Sequence, residues 1–280
     1  MKNKIGYMQG RLVDQIDGKI QAFPEAQWRD EFPIAQRIGV QNMEWTLDDH
    51  GLEDNPLCTA QGQAEIRELS TQYGLVVASI TGDCFMQSPF WKCEGSEQAV
   101  LLRKLDITIA AAGILGARII VVPLVDNGSV DSPQQSRALH SLLMQRHATL
   151  QKLSVHIAFE SDFEPKTLRD FIADFPTDSF GINYDIGNSA SLGYDPEQEM
   201  AAYAARVTNI HVKDRKLGGT TVPLGTGAAQ MKEVLNGLRD AQYGGNFILQ
   251  TARAADGDHE AALHRYIAWT LEHLERHFES

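Results

Sequence analysis

Short apolar runs alternate with longer amphipathic segments along the whole chain, and this alternation restricts the possible folds more than any other feature of the sequence. Strands are predicted over residues 5–8, 41–45, 75–80, 118–122, 155–159, 180–184, 207–212 and 246–249, as compact apolar or β-branched runs between Gly, Pro and Asx punctuation. Helical periodicity is read over residues 28–37, 61–73, 98–112, 134–150, 165–173, 230–239 and 259–277, with another helix opened by Asp195-Pro196. Gly74, Gly113 and Gly116 mark helix ends, and Pro123 is read as stopping the fourth strand. Eight strand-helix units of roughly 35 residues result. Strict alternation implies parallel pairing. Eight such units predict a closed (β/α)8 TIM barrel, with its site at the C-terminal ends of the strands. An open doubly wound sheet is the alternative; it would carry a Gly-rich loop after the first strand, and Gly10 alone matches that poorly. No linker or low-complexity stretch interrupts the pattern, so residues 1–280 read as a single domain.

The formal net charge of −12 argues against nucleic acid as a partner, because such affinity comes from many Lys and Arg contacts to phosphate. A small phosphorylated substrate needs only a local basic patch. Cys58, Cys84 and Cys93 are odd in number and form no CxxC pair, which fits reduced thiols. The N-terminal residues lack a signal-type apolar run, and no stretch approaches the ~18 apolar residues of a membrane span. A soluble cytoplasmic protein, without membrane association, is expected.

Side-chain alternation along each strand then places candidate chemistry. In the fifth strand His156, Ala158 and Glu160 share the inward face; in the sixth, Asn183 and Asp185; in the seventh, Asn209 and His211; in the eighth, Asn246 and Gln250. Four consecutive strands thus end on Glu160, Asp185, His211 and Gln250 at one rim. Two carboxylates, an imidazole and an amide oxygen suit Mn²⁺ or Mg²⁺ better than a structural zinc. Zn²⁺ or Co²⁺ remain possible cofactors. His156 sits deeper and reads as a core residue, and His259, His264, His273 and His277 on the last helix read as surface residues.

The motifs IAFESD with Glu160, NYDIGN with Asp185 and Asn188, NIHVKD with His211, and VPLGTG at residues 222–227 give the chain its resemblance. It resembles the xylose isomerase-like TIM-barrel superfamily, in particular the sugar phosphate isomerase/epimerase branch, over nearly its whole length. The resemblance implies a divalent metal held by Glu160, Asp185, His211 and a fourth residue at the end of strand eight. It also implies chemistry on a sugar, with two glutamates working from opposite faces. Here the fourth position is Gln250, which can lend a carbonyl oxygen to a metal but cannot act as a base near neutral pH.

Three consequences are open. Glu160 can shuttle a proton on one face, as in isomerisation or a dehydratase. Glu44 or Asp214 can replace the missing base. Or catalysis is lost and a silent sugar-binding barrel remains. A nuclease related to endonuclease IV ranks last, because the chain offers one clear strand-end histidine. Lys213, Arg215 and Arg253, with Arg11, are candidates to bind a substrate phosphate or carboxylate, and the Gly225-Thr226-Gly227 turn to present backbone N–H groups to it. Glu44 and Asn188 are expected on the substrate side. Trp45 and Trp91 read either as sugar-stacking rings or as packing. A homodimer is the default assembly.

Overall fold

The computed structural model describes residues 1–278. Eight parallel strands close into a barrel. In chain order they are β1 (Ile5–Met8), β2 (Asn42–Thr46), β3 (Val76–Thr81), β4 (Ile119–Leu124), β5 (His156–Ser161), β6 (Phe180–Asp185), β7 (Val207–Val212) and, after a short antiparallel pair β8 (Asp214–Arg215) and β9 (Thr221–Val222), β10 (Phe247–Leu249). Pairing runs β1-β10-β7-β6-β5-β4-β3-β2 and returns to β1. The helices are α1 (Glu31–Ile38), α2 (Ala60–Tyr73), α3 (Asp83–Gln87), α4 (Gly95–Leu115), α5 (Pro133–Met144), α6 (His147–Leu153), α7 (Pro165–Ala173), α8 (Ile186–Leu192), α9 (Pro196–Tyr203), α10 (Met231–Asp240) and α11 (His259–His277). The fold is a single-domain (β/α)8 barrel, as the alternation predicts.

One continuous apolar core lies between strands and helices and includes Ile157, Phe159, Ile182, Tyr184, Ile210, Phe247 and Leu249. These are the side chains assigned outward by strand parity. Phe159 packs among Phe171, Phe175 and Phe180 with ring centroids 5.0–6.4 Å apart. Truncating it to Ala would cost about 3–5 kcal/mol. A separate small cluster of Ile119, Val121 and Ala158 fills part of the barrel interior. With the helix-facing side apolar, the opposite parity carries the polar residues.

The structure corrects several boundaries. β4 continues through Pro123 to Leu124. Its pairing with β3 ends at Val121, so Pro123 stands on an edge, where proline is tolerated. The segment predicted as one helix from 134 to 150 is two, α5 and α6. Leu143 and Leu150 are both buried and seven residues apart, so the apolar period runs across the break and hides it. Trp28 precedes α1 rather than opening it; it is apolar because it packs on Phe32 and Trp45. The short elements α3, α8, β8 and β9 carry too few residues for a periodic signal.

Candidate functional site

Glu160, Asp185 and His211 meet at the C-terminal rim of β5, β6 and β7. One ligand atom of each lies within 4.8 Å of the others, and all three residues are buried. His211 Nδ1 is 3.1 Å from Glu160 Oε2 and 3.9 Å from Asp185 Oδ2. The register explains the meeting, since Asp185 is directly paired with His211 and Glu160 is the last residue but one of the neighbouring strand. Two hard carboxylate oxygens and an imidazole nitrogen at these separations fit a divalent cation, so a metal site at these residues is possible.

Beneath this rim lies a buried polar network. His211 Nε2 sits 2.7 Å from Glu44 Oε1, with both side chains fully buried. Glu44 Oε2 accepts from the Ser79 hydroxyl at 2.6 Å and the Asn209 amide at 2.9 Å. Asn209 also donates to Asn183 Oδ1, and Asn183 Nδ2 donates to Glu160 Oε2 at 2.8 Å. A carboxylate on one imidazole nitrogen orients the ring and leaves the other nitrogen facing the carboxylates of Glu160 and Asp185. Burial alone would push the imidazole down, but Glu44 and Glu160 on either side outweigh it and hold it up at about 10. Cation binding at Nδ1 therefore displaces a proton.

Above the rim opens a cavity of about 750 Å³. Glu160, Asn188, Lys213, Arg215 and Gln250 line it. The Lys213 ammonium bridges Asp185 Oδ2, Asn188 Oδ1 and Gln250 Oε1, each at 3.1 Å. It reaches them by lying across Gly187, where a Cβ would come within 2.6 Å of Lys213 Cγ. Asn188 also donates to Glu160 Oε1 at 2.8 Å and accepts from Arg215 Nη1 at 2.9 Å. Helix α8, which carries Asn188, is capped by Asp185 Oδ1 and tied down by Ser189 and Tyr184 hydroxyls on the buried Glu199.

The cavity wall is divided by charge. Arg11, Lys213 and Arg215 follow β1 and β7, whereas Asp83, Asp126, Glu160 and Asp162 belong to the ends of β3, β4 and β5. Burial and the neighbouring Arg253 push the Arg11 guanidinium down to about 9. Arg11 donates to the carbonyls of Thr251 and Ile20, which fixes the loop after β1 at the cavity edge.

Several expected site residues are placed elsewhere. Glu44 does not face the cavity; its carboxylate holds His211, so it is neither a contact for substrate hydroxyls nor a spare base. Arg253 is turned away and donates to the Val13 carbonyl at 2.7 Å, bracing the first loop. Asp214 is buried and accepts from the Gly227 and Ala229 amides at 2.8 and 3.1 Å. That bonding removes it from base duty and commits a backbone N–H of the glycine turn to an internal acid rather than an anion. Trp45 and Trp91 are buried packing residues. Sequence reasoning missed Asp83, Ser79 and the connecting role of Asn183 and Asn209. The last two do carry the inward parity of their strands, one step below the candidate ligands.

A description of the xylose isomerase-like TIM barrel matches residues 32–276. The chain belongs to that family. Solved structures share the fold at low identity. D-psicose 3-epimerase in the presence of D-fructose superposes with a TM-score of 0.76 at 12% identity, covering 97% of this chain and 99% of that one. A xylose isomerase-like TIM barrel protein from Mycobacterium smegmatis in complex with magnesium gives 0.69 at 17% identity and 96% of each chain. The IOLI protein with a bound zinc atom gives 0.70 at 13% identity, with 99% of this chain and 100% of that one. A search of curated proteins by sequence gives no match. Among the described residues no helix is long and apolar enough to cross a membrane.

Proposed function

We propose that this family member is a metal-dependent isomerase or epimerase of a sugar or sugar phosphate, acting by proton abstraction next to a carbonyl. The observation that carries the reading is the double placement of Glu160. It is one of the three candidate metal ligands and also the one of them that lines the cavity. Structural neighbours that are sugar epimerases, by their names, support the substrate class.

Glu160, Asp185 and His211 would hold the ion, with Mn²⁺ or Mg²⁺ favoured by the two oxygen donors. When bound, the cation polarises the substrate carbonyl and stabilises the charge that develops on its oxygen. Glu160 takes the proton from the adjacent carbon. The Asn183 and Asn188 amides, one on each carboxylate oxygen, fix its orientation for that transfer. Lys213 and Arg215 hold substrate oxygens on the cationic wall, and the acidic wall accepts from hydroxyls. Gln250 holds Lys213 through its carbonyl oxygen and is proposed as a substrate-side neutral group or a fourth donor, not a base.

The test is deuterium uptake from D₂O, with added Mn²⁺, into keto- and aldo-sugars, free and phosphorylated. Incorporation next to the carbonyl that depends on Glu160 is the expected result, and no exchange with any of them rejects enolisation chemistry. A second reading, a silent sugar-binding barrel, is favoured by the Lys213 ammonium, which already supplies Asp185 with a cation at 3.1 Å. Sugar binding without metal binding would decide for it.

A further inference from the structure

Three cationic side chains line the cavity, Arg11, Lys213 and Arg215, and they differ in what already occupies them. Lys213 is paired with the Asp185 carboxylate at 3.1 Å. Arg215 commits all three nitrogens to protein oxygens, Nε and Nη2 to the Gly219 carbonyl and Nη1 to Asn188 Oδ1. Arg11 commits two, Nε to the Thr251 carbonyl at 3.0 Å and Nη1 to the Ile20 carbonyl at 2.6 Å. Its Nη2 has no hydrogen-bond partner among the described residues, and no carboxylate among them forms an ion pair with it. Yet only 4% of Arg11 is exposed. A guanidinium taken out of water without a counter-ion is costly unless a ligand supplies one. The acids that act on Arg11 do not supply it. Glu31 accepts from the Gly10 and Leu12 amides on either side of Arg11, and Asp83 acts on it only through space. Arg253 adds a second positive charge beside it.

We propose that Arg11 binds an anionic group, a phosphate or a carboxylate, carried by the sugar, so that the site takes acidic rather than neutral sugars. The inference rests on the reading of the cavity as a sugar site. Strand β10 lies between β1 and β7 in the barrel. Arg11 follows β1 and bonds to Thr251, while Lys213 follows β7 and bonds to the adjoining Gln250. The two cations therefore flank the end of β10 from its two sides. Lys213 and Arg215 then meet on Asn188 Oδ1, and the Asn188 amide reaches Glu160 Oε1. Contacts thus run continuously along one wall from Arg11 to the proposed base. The cavity of about 750 Å³ has room for a sugar with a charged group at its end. A guanidinium suits that group, because its planar fork can meet two oxygens of a phosphate or carboxylate at once. With the Gly10 and Leu12 amides taken by Glu31, the side chain rather than the loop backbone holds the anion.

The experiment is calorimetric titration of wild type, R11M and R11K, with Mg²⁺ present, using ketohexoses, their 6-phosphates, the ketohexuronates and inorganic phosphate. Thermal melting checks that each variant is folded. Wild type is expected to bind one of the two acidic classes at least about tenfold more tightly than the neutral sugar, and the class that gains tells phosphate from carboxylate. R11M is expected to weaken binding of that class by about 10–100-fold and of the neutral sugar by less than about threefold. R11K, which keeps the charge without the fork, is expected to fall between. Wild-type protein with no preference for an acidic sugar overturns the role. An equal fall for acidic and neutral sugars in R11M makes Arg11 a brace of the first loop and also overturns it. If no sugar binds at all, the sugar reading is rejected; binding of inorganic phosphate that depends on Arg11 then supports the anion site, and its absence overturns that too. A retained acidic preference in a protein that shows no deuterium uptake rejects enolisation and supports the anion site.

Discussion

Glu44 and His211, on strands β2 and β7, are joined across the barrel interior by a 2.7 Å contact between fully buried side chains. Glu44 thus sets the direction in which the imidazole presents Nδ1 to Glu160 and Asp185. Removing the carboxylate's charge while keeping its shape, in E44Q, is expected to weaken Mn²⁺ binding by about 10–100-fold. Calorimetric titration of the folded variant checks this. Unchanged affinity would mean that the ring is held by packing alone.

Lys213 presents the opposite situation, a cation already seated on a candidate metal ligand. K213M is expected to bind Mn²⁺ more tightly, by about tenfold, because a like charge close to the ion is removed. Sugar turnover should fall at the same time, since the ammonium is lost from the cavity wall. G187A offers an independent route, as its new Cβ would lie 2.6 Å from Lys213 Cγ and displace that side chain without removing its charge. Weaker metal binding in K213M would show instead that Lys213 organises the centre.

Glu31 gives a pH prediction away from the candidate metal site. It is fully buried and accepts from the Gly10 and Leu12 amides at 2.9 and 3.1 Å. Burial raises its carboxyl to about 7, against the pull of those amides and of Arg253 and Arg11. The folded state then keeps a proton that the unfolded chain releases near its ordinary value of 4.5. Stability from this group is present in full below about pH 4.5 and is lost as pH rises through 7, by about 3 kcal/mol. Urea unfolding at pH 5 and pH 8 should show a smaller difference in E31Q than in wild type by about that amount. An identical difference in the two proteins would contradict it.

The barrel was legible in the sequence because βα alternation leaves a periodic trace in every unit. The candidate trio was legible because strand parity fixes which side chains face inward, and Glu160, Asp185 and His211 stand at or next to the C-terminal ends of their strands. What lay beyond reach depended on register and on contacts between distant elements. Glu44 is as polar as a substrate contact in sequence, and only the crossing from β2 to β7 shows that it serves His211. Arg253 and Asp214 were misjudged for the same reason, their partners being backbone groups of loops whose paths no periodicity encodes. Asp83 was missed because α3 has only five residues and follows its strand without a motif.

Glu160 stands at the centre of the reaction reading, and E160Q separates its two roles. Loss of deuterium uptake by about 10²-fold or more is expected, even at Mn²⁺ concentrations high enough to offset weakened binding. Full uptake in saturating metal would remove Glu160 from the base role.

The most direct measurement is a titration of the purified protein with Mn²⁺, followed by the loss of the free-ion signal in electron paramagnetic resonance. A centre built from Glu160, Asp185 and His211 predicts one ion bound per chain, with binding weakened at least about tenfold in D185N and in H211Q. A free-ion signal that tracks total Mn²⁺ in the wild-type protein, with no ion bound at any concentration, would contradict the metal centre and the chemistry proposed for it.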